Sequence, residues 1–416
     1  MLWCLDRRVL DVEASGWNGF VSMIPIATNP ISGGRWLTRF QLVLALVLLL
    51  VVLVLPVSDM TRILALIGVT AMITVVVLLP LVIRLAGFVG AVDMPGGRRI
   101  HTLPTPRWGG LGLAAGVLAA LVVASPNFMP NLRALLISTS LVLMVGLVDD
   151  VRPVRAWIKL LVQVAACSLL IVDGVHVLFV PATWWGIPLR WVITMLWVIG
   201  ITNAVNFLDG MDGLVAGLVM GTSLIYLGLA LLLGSPMLAY CAIAIFGASF
   251  GFLGYNIRPA RLFLGDGGST FLGFFLAALS VQGSWAKNNP MVSFFIPILV
   301  LSVPIYDMIF ITATRIATGR VRSFRDWIEY TGRDHLHHRL EALGLNRGQV
   351  VLAIGFLNLA VGLGAITLFE SATYGGIALL VQVCCVYVII ALLEVLGARR
   401  IVKDPGVLDP GSPGSP

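Results

Sequence analysis

Acidic and amide side chains recur at short, regular spacing in two stretches, NAVNFLDGMDGLVAG (203–217) and LFLGDGGSTFLG (262–273), each set between long apolar runs. Asn203, Asn206, Asp209 and Asp212 fall every third residue, which on a helix or tight turn places them roughly on one face. Hard oxygen atoms such as those of Asn206 and Asp209 suit Mg²⁺, or the hydroxyl and amide groups of a nucleoside. Capping of the next helix would account for one Asp but not for four aligned polar residues. In the second stretch Asp266 sits among Gly265, Gly267, Gly268, Ser269 and Thr270, directly before a helix. Ordinary turns use the same residues. Beside an Asp-rich companion loop they fit a backbone nest for phosphate, with Asp266 on a bridging metal.

Three further segments carry chemistry. Adjacent Asp149 and Asp150 close an apolar run and precede Arg152, Arg155 and Lys159. Neighbouring carboxylates repel unless a cation or proton relieves them, so one or both should titrate abnormally. Such a pair suits a general base, a metal contact or both. A merely solvated helix end is the weaker reading, because these acids would oppose the helix dipole. In GRVRSFRDWIEYTGRDHLHHRLEALG (319–344), His335, His337 and His338 lie beside Arg333, Asp334 and Arg339. No Cys or second His pair supports a closed zinc site, so binding of diphosphate or sugar is the better reading. In VDMPGGRRIHTLPTPRWGGLG (92–112), Arg98, Arg99, His101 and Arg107 can meet phosphate, although anionic headgroups suffice for that loop taken alone. Metal-binding carboxylates, Arg and His donors and Gly-rich turns are the parts that phosphoryl transfer needs.

The elements that must position these groups are membrane helices. Of 416 residues, 59% are hydrophobic and 11% charged, against about 25% charged in a soluble domain. Twelve apolar runs are long enough to cross lipid: 38–57, 63–87, 108–125, 131–148, 157–173, 189–205, 213–234, 236–255, 268–283, 292–314, 349–369 and 373–396. The fold class is therefore all-α and polytopic, since lipid forces backbone groups to pair within each segment, and the alternating segments of a β-barrel are absent. Both termini and every second loop share one face, which receives all but four of the 27 Lys and Arg and is expected to be cytoplasmic. The net charge of +7 is thus a topology signal, and no nucleic-acid partner is expected. Asp93, Asp149, Asp150, Asp209, Asp212, Asp266 and Asp334 fall on the same face. Residues 1–37 read as an N-terminal cytoplasmic segment, 38–57 as an uncleaved anchor helix, 58–398 as the integral-membrane domain and 399–416 as a disordered tail.

NAVNFLDGMDGL, FLGDGGSTFLG, the Asp149–Asp150 pair and DHLHHRL, with VDMPGGRRIHTLPTPRWGG and PIYD (304–307), resemble the polyprenyl-phosphate N-acetylhexosamine-1-phosphate transferase family, bacterial glycosyltransferase family 4. The match runs from about residue 63 to 396. The resemblance implies transfer of a sugar-1-phosphate from a UDP-N-acetylamino sugar to a polyprenyl phosphate in the bilayer, with release of UMP. It implies Mg²⁺, with Mn²⁺ as a substitute, a plasma-membrane location and room for a homodimer. Asp149 and Asp150 match the catalytic pair, one of them deprotonating the lipid phosphate, and Asn206 and Asp266 match Mg²⁺ ligands. Asp209 and Asp212 match nucleotide-binding groups, joined as substrate contacts by Asn203, Arg107, Lys159 and Arg339. His335, His337 and His338 match the His motif that binds diphosphate or helps select the sugar. HLHH resembles the branch using UDP-GlcNAc, whereas the branch transferring phospho-MurNAc-pentapeptide more often carries three consecutive His. The chain departs from the pattern in the additional span 38–57 and in the longer stretch SFRDWIEYTG (323–332). A transporter is the rival of another class; it would place ionisable residues near the bilayer midplane, where Asp307 is the main exception to spans nearly free of charge.

Overall fold

Apolar runs flanked by Gly, Pro and charged residues fold here as helices, joined at their ends by polar loops. A computed structural model describes residues 33–54, 58–94, 104–124, 130–287, 289–323, 332 and 334–403. In chain order the helices are α1 (Gly33–Val54), α2 (Asp59–Val89), α3 (Gly109–Ala124), α4 (Pro130–Asp149), α5 (Ala156–Val172), α6 (Gly186–Leu208) and α7 (Leu214–Leu232). They continue with α8 (Pro236–Asn256), α9 (Gly265–Gln282), α10 (Pro290–Val300), α11 (Ser302–Ala317), α12 (Leu336–Ala342), α13 (Arg347–Ile366) and α14 (Thr373–Lys403). The only sheet among the described residues is a two-residue antiparallel pair, β1 (Val92–Asp93) with β2 (Thr105–Pro106). The protein is an all-α polytopic membrane protein: among the described residues seven helices are long and apolar enough to span a bilayer alone, and α10 with α11 qualifies as a bent pair.

Every expected span corresponds to a helix, but three boundaries differ. Helix α1 begins at Gly33 inside the segment expected to be a cytoplasmic lead, and Leu37 is already buried. At the other end α14 continues to Lys403, past the expected boundary at 398; the tail beyond it lies outside the described residues. The run 292–314 is not one straight span, because α10 and α11 meet at a 75° bend. Pro304 has no N–H to offer the carbonyl of Val300, and Leu301 leaves the helical region at φ −103°, ψ 19°.

Helix α9 lies at the centre, packed against α3, α4 and α6, and its residues from Gly267 to Val281 are buried. Small residues make that possible. A Cβ on Gly110 of α3 would overlap Gly268, and one on Gly146 of α4 would overlap Gly267. Two helices therefore approach the first turn of α9 backbone to backbone. The additional helix α1 is docked on α2 and α8, where fully buried Gln41 donates to the carbonyl of Phe250 at 2.5 Å.

Candidate active site

The C-termini of α4 and α6 and the N-terminus of α9 meet at one end of the bundle. Asp149 ends α4, and its Oδ1 accepts the Val154 amide at 2.6 Å. Lys159, in the first turn of α5, donates from Nζ to Asp149 Oδ2 and to Asp266 Oδ2, both at 2.9 Å. One ammonium therefore ties together carboxylates that lie far apart in sequence. Asp150 points elsewhere. It is buried, and its two oxygens accept the amides of Asp266 (2.9 Å) and Gly267 (3.3 Å). A side chain from another segment thus caps α9 and complements its dipole. Burial pushes the Asp150 carboxyl up to about 7, against the two amide bonds that favour its charged form.

This arrangement corrects the expectation of a phosphate nest in LGDGGST. Amides that would cradle a phosphate there are already taken by Asp150, while Ser269 and Thr270 turn their hydroxyls back to the carbonyls of Gly265 and Asp266. Gly265 is required for geometry. Its φ is +76°, and a Cβ would run into the Arg107 carbonyl and the Asp150 carboxylate.

The four residues spaced by three do not share one face. Helix α6 stops at Leu208, and Gly213 at φ +79° opens α7, so the helical spacing is broken between Asn206 and Asp212. Asn203 pairs with Gln163 of α5, donating to its Oε1 at 2.8 Å. Asn206 donates from Nδ2 to Ser269 Oγ at 2.7 Å, an orientation that leaves its Oδ1 as the available acceptor. Asp209 follows the last turn of α6; burial and the nearby carboxylates of Asp266 and Asp150 push it up to about 8. Asp212 accepts the Ala260 amide at 3.1 Å and braces the loop that leads into α9.

The 104–110 loop is clamped on the same end. Its backbone exchanges three bonds with 263–264: Phe263 N–H to Pro106 (2.8 Å), Gly109 N–H to Phe263 (3.0 Å) and Gly110 N–H to Leu264 (2.9 Å). Trp108 donates to the Leu147 carbonyl at 3.1 Å, and Arg107 lies 3.8 Å from Asp93. Arg98, Arg99 and His101 lie outside the described residues, as do Arg333 and 324–331 of the longer stretch.

The histidines are held from α11 and α14. Asp307, 1% exposed, accepts His335 Nδ1–H at 2.8 Å and the Leu336 amide at 2.6 Å. His335 also lies against Phe207 in the last turn of α6, with ring centroids 5.6 Å apart. His337 is 1% exposed, and its ring fills the space where Gly210 has no Cβ. Neither of its ring nitrogens has a partner among the described residues. Burial, then the charges of His338, His335 and Arg339, push it down to about 2, so the imidazole is neutral. His338 faces Glu341 at 3.5 Å. Among the described residues no three His, Cys, Asp or Glu side chains converge as a metal cage. Arg315 grips Asp334 with two bonds, 2.6 and 2.8 Å, which outweigh burial and hold that carboxyl below its ordinary range.

Sequence reasoning missed Gln163, the trans-capping role of Asp150 and Glu394. The last had a signal: it is the one acid in the apolar run 373–396, and a lone ionisable residue in a span usually faces a functional partner. Here that partner is Arg339, whose Nε lies 2.8 Å from Glu394. Asp307 and Glu394 thus both serve the His motif, rather than lining a path through the bilayer.

Comparison with known proteins identifies the family. The model of Glycosyl transferase family 4 matches residues 132–284, which span α4 to α9. A probable undecaprenyl-phosphate N-acetylglucosaminyl 1-phosphate transferase of Bacillus subtilis is 35% identical over 73% of this chain and 84% of its own. The decaprenyl-phosphate N-acetylglucosaminephosphotransferase of Mycobacterium tuberculosis is 32% identical over 70% and 79%. A phospho-N-acetylmuramoyl-pentapeptide-transferase of Moorella thermoacetica is 32% identical over 64% and 84%. About a third identical to such proteins over aligned stretches that cover most of their length, the chain belongs to glycosyl transferase family 4, the polyprenyl-phosphate sugar-1-phosphate transferases.

Proposed function

We propose that this chain transfers N-acetylglucosamine-1-phosphate from UDP-N-acetylglucosamine to undecaprenyl phosphate, releasing UMP and starting a cell-envelope glycan. The observation that carries this reading is the Asp149–Lys159–Asp266 cluster, assembled from three helices at one end of a membrane bundle. Relatives named as GlcNAc-1-phosphate transferases support it, and so does the broken HLHH motif.

The reaction is a direct displacement. An oxygen of the lipid phosphate bonds to the β-phosphorus of the UDP-sugar, and the bridging P–O bond breaks with its electron pair leaving on UMP. Asp149 takes the lipid phosphate's proton, with its carboxylate oriented by Lys159 and the Val154 amide. Asp150 fixes the first turn of α9, and therefore Asp266. His337, kept neutral by burial, offers a ring N–H to diphosphate or sugar. The basic residues gathered on the same face support a site on the cytoplasmic side of a bacterial inner membrane.

The residues present fit a hard divalent cation. Asn206 is oriented to offer Oδ1, Asp266 offers a carboxylate, and the carboxylates of Asp150 and Asp209 lie close enough to Asp266 to raise one another's pKa beside the effect of burial. Asn206 and Asp266 would hold Mg²⁺, which when bound neutralises charge on the transferring phosphate. Chelation by EDTA should abolish UMP release, and Mg²⁺ or Mn²⁺ should restore it; turnover undiminished in EDTA would remove the metal.

The test of the function is to incubate purified protein with undecaprenyl phosphate and a panel of UDP-sugars, including UDP-MurNAc-pentapeptide, and weigh the lipids. The GlcNAc-diphosphate lipid is expected. A MurNAc-pentapeptide product would favour the alternative branch, and uptake of intact nucleotide sugar by proteoliposomes without UMP would support a transporter. A radiolabelled sugar-phosphate adduct on the protein, trapped without lipid, would overturn direct displacement in favour of two steps.

A further inference from the structure

Arg339 occupies the His motif, yet its guanidinium is committed inside the protein. Its Nε donates to Glu394 at 2.8 Å, Nη1 donates to the Asp334 carbonyl at 2.5 Å, and Nη2 lies 3.5 Å from Asp307. The plane also rests over the Phe310 ring, 3.9 Å from its centroid. Asp307 in turn accepts from His335 Nδ1 and from the Leu336 amide that opens α12. Glu394 is 4% exposed and comes from α14, far from the motif in sequence. Tyr306 donates to the same Glu394 oxygen at 3.4 Å. A continuous chain of charged contacts therefore runs from the last membrane helix to the imidazole of His335. A buried carboxylate facing a buried guanidinium fixes the latter's plane, because alternative rotamers would leave both charges unpaired.

We propose that Glu394 is a positioning residue for sugar-nucleotide binding: through Arg339 and Asp307 it fixes the pose of His335 and of the motif that contacts the donor. This rests on the transferase reading and extends it, assigning to α14 a part in donor recognition that neither the sequence motifs nor the helix's lipid-facing surface discloses. It also separates two roles on one short helix. His337, with unpartnered ring nitrogens, is the group that meets substrate, whereas Arg339 belongs to the frame that aims it.

The experiment uses the full chain in nanodiscs, as wild type, Glu394→Gln and Glu394→Ala. UMP release is measured against UDP-GlcNAc and, separately, against undecaprenyl phosphate. The expected result is a rise of about tenfold in KM for UDP-GlcNAc in Glu394→Ala, a smaller rise in Glu394→Gln, and an unchanged KM for the lipid. Nitrogen NMR of the five histidines should show the His335 ring resonances displaced in both variants at fixed pH, with those of His101 and His176 unmoved. Wild-type kinetics in both variants would overturn the proposal. So would losses in both KM values and kcat that merely track a fall in thermal stability, or an unmoved His335 spectrum. Should wild type itself release no UMP with any UDP-sugar, the proposed function fails, while the histidine spectra still decide the positioning role.

Discussion

At the scale of residues, two adjacent acids have separated jobs, and their variants should behave differently. Asp149 faces Lys159 and Asp266, so Asp149→Asn should lower kcat by 10²-fold or more, as loss of a general base does, with little change in unfolding temperature. Asp150 is engaged by two amides of α9, so Asp150→Ala should destabilise the protein by about 1–3 kcal/mol in addition to slowing it. Unfolding temperatures and single-substrate rates, measured side by side, distinguish the two. His337 gives a pH signature. Its folded pKa of about 2 lies below the unfolded value of 6.5, so the unfolded state binds more protons between these limits. Stability should therefore fall as pH drops below about 6.5, by up to about 1.4 kcal/mol per unit. Melting curves of wild type and His337→Gln from pH 7.5 to 5.5 should show the shallower dependence in the variant; equal slopes would refute the neutral buried imidazole. Residue types and spacing marked the acids and histidines of the loop motifs, but not Glu394 of α14. They did not reveal who pairs with whom, because Gln163, Ser269 and Glu394 become partners only through helix packing.

At the scale of elements, the site depends on how closely α3 and α4 approach α9. Gly110→Ala would press a methyl into Gly268, so overpacking of about 1–3 kcal/mol should lower the unfolding temperature and activity together. Differential scanning fluorimetry with a parallel rate assay checks this; a fully stable variant would contradict the backbone-to-backbone contact. The positions of the spans could be read from apolar runs alone, since lipid imposes their length. The break at Leu301 could not. Helix α2 carries Pro80 within a single 31-residue helix, whereas Pro304 accompanies a 75° bend. Whether a proline kinks or breaks a helix depends on neighbours that satisfy the freed carbonyl, and those are tertiary. The spacing of Asn203 to Asp212 failed as a one-face pattern for a related reason: the helix ends midway through it.

At the scale of the whole molecule, helix ends and turns far apart in sequence deliver Asp149, Asn206, Asp266 and His335 to one end of the bundle. Convergence was legible only as a shared side, since a common face does not fix which loops touch. The most direct measurement follows label from UDP-GlcNAc carrying a radioactive β-phosphate into undecaprenyl phosphate, comparing purified wild type with Asp266→Asn. Label should enter the lipid in wild type, matched by UMP release, and fall at least 10²-fold in the variant. Near-normal transfer by Asp266→Asn would contradict a site built around the joined ends of α4, α5 and α9.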